Sequence, residues 1–217
     1  MERILEAELM DDQQQAAAYA QADFSVSNQA YVDGVLADLP APLGRVLDIG
    51  CGPGDVDIRL AAASPEIRIT AVDGSAAMIG LARRAVADAG LDGRIRLVEG
   101  YVPGLDLAER SFDVVLSKDF LHHLPDPAGL WSEARRLGAP GAALYVMDLV
   151  RPESPAAARA IVEAVAADEH PLLKEDFYNS LCAAFTLAEV AGQLRQAGLD
   201  LAVRQVSDRH MLITGRL

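Results

Sequence analysis

Between residues 45 and 149, short apolar runs alternate with helical segments, and this alternation constrains the fold more than any other feature of the sequence. The apolar runs predict five buried strands, at Arg45–Ile49, Ile67–Val72, Ile95–Val98, Phe112–Ser117 and Ala142–Leu149. The intervening segments predict helices at 55–63, 75–89 and 127–137. Because parallel neighbours need a crossover connection, this succession predicts an α/β fold, in which helices cover both faces of a parallel sheet.

Two flanking regions complete a single predicted domain. The chain divides into an N-terminal helical cap at 1–42, a core at 43–150, an insert at 151–184 and a final helix with a β-hairpin at 185–217. The insert is expected to act as a lid over the substrate. Within the cap, helices are predicted at Ile4–Tyr19 and Gln29–Leu39. In the last segment Thr186 begins a helix, and strands at 199–206 and 211–215 are expected to pair antiparallel.

Composition and charge exclude several classes of protein. Hydrophobic residues make up 51% of the 217, enough for a sizeable core, and no apolar run approaches the roughly 18 residues of a membrane span. A formal charge of −13 opposes binding to nucleic acid. The segment Met1–Asp33 carries seven acids against one base, which either solubilises the surface or attracts a cationic substrate. With no secretion signal and two cysteines, we expect a cytoplasmic protein.

The segment DIGCGPG, Asp48 to Gly54, follows the first strand and opens a helix. Three alternate glycines, Gly50, Gly52 and Gly54, let a ligand approach the backbone, and the helix N-terminus offers free N–H groups to an anionic group. The spacing fits neither the G-x-G-x-x-G of dinucleotide sites nor a phosphate loop, which needs a lysine. Asp48 would repel a pyrophosphate and suits an ammonium group, so the loop favours a zwitterion over a diphosphate.

Asp73 ends the second strand. Its separation in sequence from Gly54 is the one at which dinucleotide sites place a ribose-binding acid. A carboxylate there can accept hydrogen bonds from both ribose hydroxyls. The two motifs together predict a ligand with an amino acid at one end and a nucleoside at the other, which S-adenosylmethionine has. Taken separately, the glycine segment could be a strand–turn–helix corner that binds no ligand, and Asp73 could be a helix cap. These two alternatives do not explain the joint spacing of the motifs.

Three segments resemble motifs of the class I S-adenosylmethionine-dependent methyltransferases. VLDIGCGPG, at 46–54, is similar to the first motif of that family, AVDGSAAMI, at 71–79, to the second, and FDVVLSKDFLHHLPDP, at 112–127, to the fourth and its following loop. The resemblance covers residues 45–149 and extends to the last segment by topology alone. It implies a three-layer Rossmann-like methyltransferase fold, with a seven-stranded, mostly parallel sheet that ends in an antiparallel hairpin, and S-adenosylmethionine as cofactor.

The resemblance also implies residue roles at the cofactor. Asp48 would bind the methionine ammonium, Gly50, Gly52 and Gly54 would line the methionine carboxylate and the ribose, and Asp73 would hold the ribose hydroxyls. The other implied cofactor-binding residues follow the second, third and fourth strands and are Gly74, Ser75, Met78, Tyr101, Ser117 and Lys118.

The adenine end departs from the family pattern. Ser75 and Met78 would flank the base in the resembled site. Family members often carry an acid after the third strand to bind the adenine amine, whereas Tyr101 stands there in this chain. A tyrosine can stack on the base or donate a hydrogen bond to it. Lys118 either approaches a bound anion or reaches solvent.

The candidates for acceptor chemistry follow the fourth strand. Methyl transfer from a sulfonium needs alignment, and it needs a base only where the acceptor arrives protonated. SKDFLHHL is similar to a segment of phosphoethanolamine methyltransferases in which an aspartate helps to bind substrate and a histidine takes part in catalysis, and Asp119 and His123 match those positions. His122 is a candidate substrate contact, with packing against the sheet as the favoured alternative, while for His123 both roles stay open. Tyr19 is the third catalytic candidate, since it either folds over the cofactor or packs under the cap.

The insert is expected beside the same edge of the sheet. It offers His170 and Tyr178 as candidate substrate contacts, although the run around Tyr178 equally suits a packed helix. His170 with Asp168 and Glu169 does not predict a metal site, because adjacent residues rarely converge on one ion, and no metal is expected.

The sequence therefore predicts transfer of a methyl group from S-adenosylmethionine to a small-molecule acceptor by in-line displacement. The segment 117–120 stands where amino-directed DNA and protein methyltransferases carry Asn-Pro-Pro-Tyr, and no basic patch is present, so neither nucleic acid nor a membrane is an expected partner. We expect a monomer or a homodimer. Two alternatives stay open: another chemistry on the same cofactor, and a non-catalytic cofactor-binding subunit.

Overall fold

The computed structural model describes residues 1–6 and 23–217 of the chain. The elements in chain order are α1 Ser25–Asp38, β1 Arg45–Ile49, α2 Asp55–Ala63, β2 Arg68–Asp73, α3 Ala76–Asp88, β3 Ile95–Glu99, β4 Phe112–Lys118, a 3₁₀ turn Leu121–His123, α4 Ala128–Leu137, β5 Gly138–Leu149, α5 Pro155–Val165, α6 Pro171–Ala183, α7 Leu187–Ala197, β6 Ala202–Gln205 and β7 His210–Arg216.

The seven strands form one sheet in the order β3-β2-β1-β4-β5-β7-β6. Strands β1 to β5 run parallel, and β7 pairs antiparallel with both β5 and β6. The chain order reverses between β1 and β4, and open α/β sheets bind ligands at the carboxyl ends of the strands at such a point. This topology confirms the predicted Rossmann-like sheet and its terminal hairpin.

Each face of the sheet buries its own hydrophobic cluster. Alternate residues of a strand point to opposite faces, so Val46 packs with α1, α2 and α3, whereas Leu47 packs with α4 and α7. Tyr31 and Leu60 fill the first cluster, and Trp131 the second. Burial on both faces is why the central strands read as continuous apolar runs.

The flanking regions depart from the prediction in their details. The insert contains two helices, α5 and α6, each with proline at its first position behind a capping residue, Ser154 or His170. Residues 4–6, where the predicted helix Ile4–Tyr19 would begin, are not helical. The Ile4 amide donates instead to the carbonyl of Cys182 at 3.1 Å. The rest of that predicted helix lies outside the described residues. Within residues 1–6 and 23–217, no helix has the length and apolar character needed to cross a bilayer.

Candidate cofactor and acceptor site

The glycine turn after β1 has a backbone that only glycine adopts without strain. Gly50 and Gly52 have φ angles of +84° and +54°. A Cβ on Gly50 would lie 2.5 Å from the Phe120 ring, whereas a Cβ on Gly52 would meet nothing within 4 Å. The Gly50 and Cys51 amides donate to the carbonyl of Val72, at 2.8 and 2.9 Å, which fixes the turn to the end of β2. Gly52 therefore faces open space where a ligand can approach the backbone.

Asp73 joins the glycine turn to the start of α3. Its Oδ2 accepts a hydrogen bond from the Gly52 amide and its Oδ1 one from the Ser75 amide, both at 2.8 Å. Ser75 caps α3, because its hydroxyl accepts from the Met78 amide at 3.2 Å. A carboxylate oxygen can accept more than one hydrogen bond, so Asp73 can also bind vicinal hydroxyls while it holds the turn.

Beneath the turn, two aspartates share a buried contact. Asp48 is 3% exposed and Asp57, in the first turn of α2, is 1% exposed, and the two carboxyl groups lie close enough to shift each other's pKa. Burial raises the pKa of Asp48 and the neighbouring Asp57 carboxyl lowers it, with about 6 as the result. Burial and the charge of Asp48 raise the pKa of Asp57 well above its usual range. Sequence reasoning missed Asp57, although a second acid inside an otherwise apolar helical turn was its visible sign.

This pair leads to a prediction about stability. Because the folded chain binds protons on this pair more tightly than the unfolded chain, stability falls as pH rises from about 4 through 6. We expect Asp57→Asn to raise the free energy of unfolding by about 2 kcal/mol at pH 8 and to change it little at pH 4, since the amide can donate to Asp48. Urea unfolding at pH 4, 6 and 8 measures this effect, with the exposed Asp92→Asn as control. A variant less stable than the parent at pH 8 would contradict the shared proton.

The ends of β2 and β3 carry the residues proposed for adenine. Tyr101 is 57% exposed, and a Cβ on Gly74 would lie 2.8 Å from its ring, so the ring lies directly against that glycine. Ser75 and Met78 are buried at the start of α3. The exposed Tyr101 face is thus available for stacking beside the glycine turn.

At the end of β4, three predicted residues have different partners. Ser117 is fully buried and its hydroxyl donates to the carbonyl of Ile49 at 2.7 Å, so its side chain ties β4 to β1 instead of reaching into the crevice. Lys118 forms an ion pair with Asp119. Burial would raise the pKa of Asp119, but Lys118 and then His210, whose Nε2 lies 3.7 Å from Asp119 Oδ1, lower it to about 2.

The two neighbouring histidines each bind a different carboxylate. His122 is 2% exposed and its Nδ1 lies 2.8 Å from Asp148 Oδ1. Burial would lower the pKa of His122, but Asp148 raises it above its ordinary value. His123 is partly exposed, and its Nδ1 lies 2.8 Å from Oε2 of Glu6. Glu6 was not among the predicted residues, and its only sign was the acidic character of the N-terminal segment.

The remaining predicted residues lie apart from this cluster or outside the described chain. His170 is exposed at the N-terminus of α6, where its Nδ1 accepts from the Leu172 amide at 3.2 Å. Ser180, near the other end of α6, contacts Glu6, and about 15 Å of helix separates it from His170. Tyr178 packs on α5 with the Arg159 guanidinium 4.6 Å from its ring centroid. Tyr19 lies outside the described residues.

In residues 1–6 and 23–217, one group of side chains has the composition of a metal site, namely Glu6, His122 and His123, with ligand atoms within 4.8 Å of one another. The 2.8 Å between Glu6 Oε2 and His123 Nδ1 is shorter than the separation of about 3.0–3.4 Å between two ligands of one ion. In this geometry His123 forms an ion pair with Glu6, and His122 is hydrogen-bonded to Asp148.

Comparison with known proteins places this arrangement in a family. A family model described as a methyltransferase domain matches residues 46–141. The 27-O-demethylrifamycin SV methyltransferase of Amycolatopsis mediterranei is 32% identical over 163 residues, which are 75% of this chain and 56% of that protein. A ubiquinone biosynthesis O-methyltransferase of Xanthomonas axonopodis pv. citri is 32% identical over 184 residues, covering 80% of this chain and 70% of that protein.

The same fold occurs in solved structures. A methyltransferase dependent on S-adenosylmethionine from Aquifex aeolicus is similar with a TM-score of 0.72 at 20% identity, over 94% of this chain and 98% of that one. The chain spans about half the length of the first curated relatives that it matches, with 56%, 48% and 57% of their residues. On these similarities the chain belongs to the class I S-adenosylmethionine-dependent methyltransferases, with S-adenosylmethionine as cofactor.

Proposed function

We propose that this protein transfers a methyl group to a hydroxyl oxygen of a small molecule. The observation that carries the proposal is the arrangement at the carboxyl ends of the parallel strands. Asp73, at the end of β2, joins the open glycine turn after β1 to α3, and His123, in the turn that follows β4, pairs with Glu6. Oxygen as the acceptor atom is supported by the names of the relatives from Amycolatopsis and Xanthomonas.

The residues around the glycine turn fit the cofactor. Asp48 has a buried oxygen, Oδ1, without a hydrogen-bond partner among the described residues, and a carboxylate there suits the methionine ammonium. The open face of Gly52 suits a ligand held close to the backbone, Asp73 would bind the ribose hydroxyls, and Tyr101 would stack on adenine. When bound, the cofactor supplies a methyl group already activated on a sulfonium.

On the acceptor side, His123 would take the hydroxyl proton. Its Nδ1 is bound to Glu6, so Nε2 is the ring atom left to act as a base. Asp119, held by Lys118, would hydrogen-bond to the acceptor, and Tyr19 remains a proposed contributor. His122, His170 and Tyr178 remain proposed substrate contacts. A monomeric or homodimeric state and a cytoplasmic location are also proposed for the whole protein.

The test is turnover with a panel of hydroxylated small molecules. The purified protein, S-adenosylmethionine and each acceptor are incubated, and S-adenosylhomocysteine and the methylated product are measured together by mass spectrometry. We expect the two to appear in equal amounts with at least one phenol or alcohol. S-Adenosylhomocysteine without a methylated product would favour another chemistry, and cofactor binding without any turnover would favour a non-catalytic subunit.

A further inference from the structure

We infer that Glu6 orients the His123 ring and stabilises it when protonated, so that the N-terminal segment supplies part of the catalytic machinery. This role rests on the proposed function of His123 as the base. Glu6 is a positioning residue, since it acts through the imidazole and not on the acceptor.

Both oxygens of Glu6 have defined neighbours. Oε2 lies 2.8 Å from His123 Nδ1, and Oε1 accepts a hydrogen bond from the Ser180 hydroxyl at 2.9 Å. The Glu6 side chain is 13% exposed. Burial would raise the pKa of Glu6, but His123, His122 and Ser180 together lower it, so the carboxylate is charged at neutral pH. A buried negative charge therefore lies against one ring nitrogen of His123.

The position of Glu6 is fixed by Arg3, three residues before it. The Arg3 Nη2 donates to the carbonyls of His122 and Leu124, at 2.8 and 2.9 Å, and these residues flank His123. Its Nε donates to the carbonyl of Ala183 at 2.5 Å, and its guanidinium lies 3.8 Å from the ring centroid of Phe185. The N-terminal segment is thus bound to the histidine turn and to the end of α6 at once.

The chemistry of the pair is that of a carboxylate–histidine couple. A carboxylate at Nδ1 fixes the tautomer with Nε2 free to accept a proton, and it offsets the positive charge that then forms on the ring. The charged and titratable groups around His123 in the described chain include Glu6 and Arg3 from the N-terminal segment and His122 from its own turn. Asp148 of β5 and Asp119 act on His122. The Asp148 contact is made to His122, which leaves Glu6 as the carboxylate partner of His123.

The experiment compares Glu6→Gln with the parent protein. Glutamine keeps the shape and can accept from Ser180, but it carries no charge. We expect kcat to fall about tenfold to a hundredfold with an unchanged KM for S-adenosylmethionine, because the uncharged amide no longer offsets the positive charge that forms on the ring. Glu6→Asp should recover part of the rate. Glu2→Gln, an exposed position in the same segment, is the matched control and should behave as the parent.

The outcomes separate this inference from the proposed function. If His123→Ala loses turnover while Glu6→Gln keeps the parent rate and pH profile, the role of Glu6 is overturned and the function stands. If His123→Ala keeps the parent rate, the proposed base fails and the role of Glu6 fails with it. Stoichiometric Zn²⁺ binding together with loss of turnover in EDTA would make Glu6, His122 and His123 metal ligands and overturn the positioning role.

A measurement on the unmodified protein guards against variants that do not fold. The ring ¹⁵N chemical shifts of His123 report which nitrogen carries the proton in the neutral imidazole. We expect a protonated Nδ1 and a free Nε2, as the contact with Glu6 requires. The opposite tautomer would overturn the inference without any substitution.

Discussion

Replacement of Asp73 by alanine is expected to weaken binding of S-adenosylmethionine by about a hundredfold. A charge-assisted pair of hydrogen bonds to the ribose hydroxyls accounts for about 1–3 kcal/mol of this loss. The rest comes from the turn itself, because the amides of Gly52 and Ser75 lose the carboxylate that they share. Isothermal titration calorimetry measures the affinity, with the exposed Asp88→Ala as control.

A double-mutant cycle separates these two contributions. S-Adenosylhomocysteine and its analogue without ribose hydroxyls are titrated into the parent and into the Asp73→Ala variant. If Asp73 binds the ribose, removal of the hydroxyls weakens binding to the parent and hardly affects binding to the variant. Equal losses in both proteins would limit Asp73 to a structural role in the turn, and an unchanged affinity of the variant would remove it from the site altogether.

The cofactor side of the site was predictable because its geometry is local. The glycine turn, Asp48 and Asp73 lie at the ends of two adjacent strands, so the strand assignment alone places them together. The cap of α7 is similarly local: Thr186, predicted to begin this helix, forms a capping box with Glu189. In such places sequence spacing fixes spatial distance, since both are set by one helix turn or one pair of strands.

The acceptor side was predictable only in part, because its contacts join distant segments. Glu6 reaches His123 from an N-terminal segment that is not helical over residues 1–6, although the acidic pattern there favours a solvated helix. Asp148 lies inside β5, where its partner His122 depends on how the turn after β4 folds back. His170 was predicted as a substrate contact because the insert was expected beside the crevice, and it caps the N-terminus of the 13-residue α6, whose other end carries the contact of Ser180 with Glu6. No local pattern encodes these contacts.

His123→Ala is expected to lower kcat by about a hundredfold while the affinity for S-adenosylmethionine stays the same. The loss follows from removal of the proposed base for the acceptor proton, an effect of typically 10²–10⁴ in enzymes that use one. The cofactor contacts proposed for Asp73 and the glycine turn do not involve this ring, so binding and turnover should separate. Single-turnover kinetics with saturating cofactor measures the chemical step directly.

Two further readouts test the base itself. Imidazole added to the His123→Ala variant should restore part of the rate, because it can enter the vacated space and accept the proton, whereas the parent should not respond. An acceptor supplied as an already ionised phenolate should also react with the variant nearly as fast as with the parent, since no proton then remains to be removed. If the variant retains the parent turnover and pH profile with a protonated acceptor, alignment alone accounts for catalysis, and the Glu6–His123 pair is a structural contact between the N-terminal segment and the sheet edge.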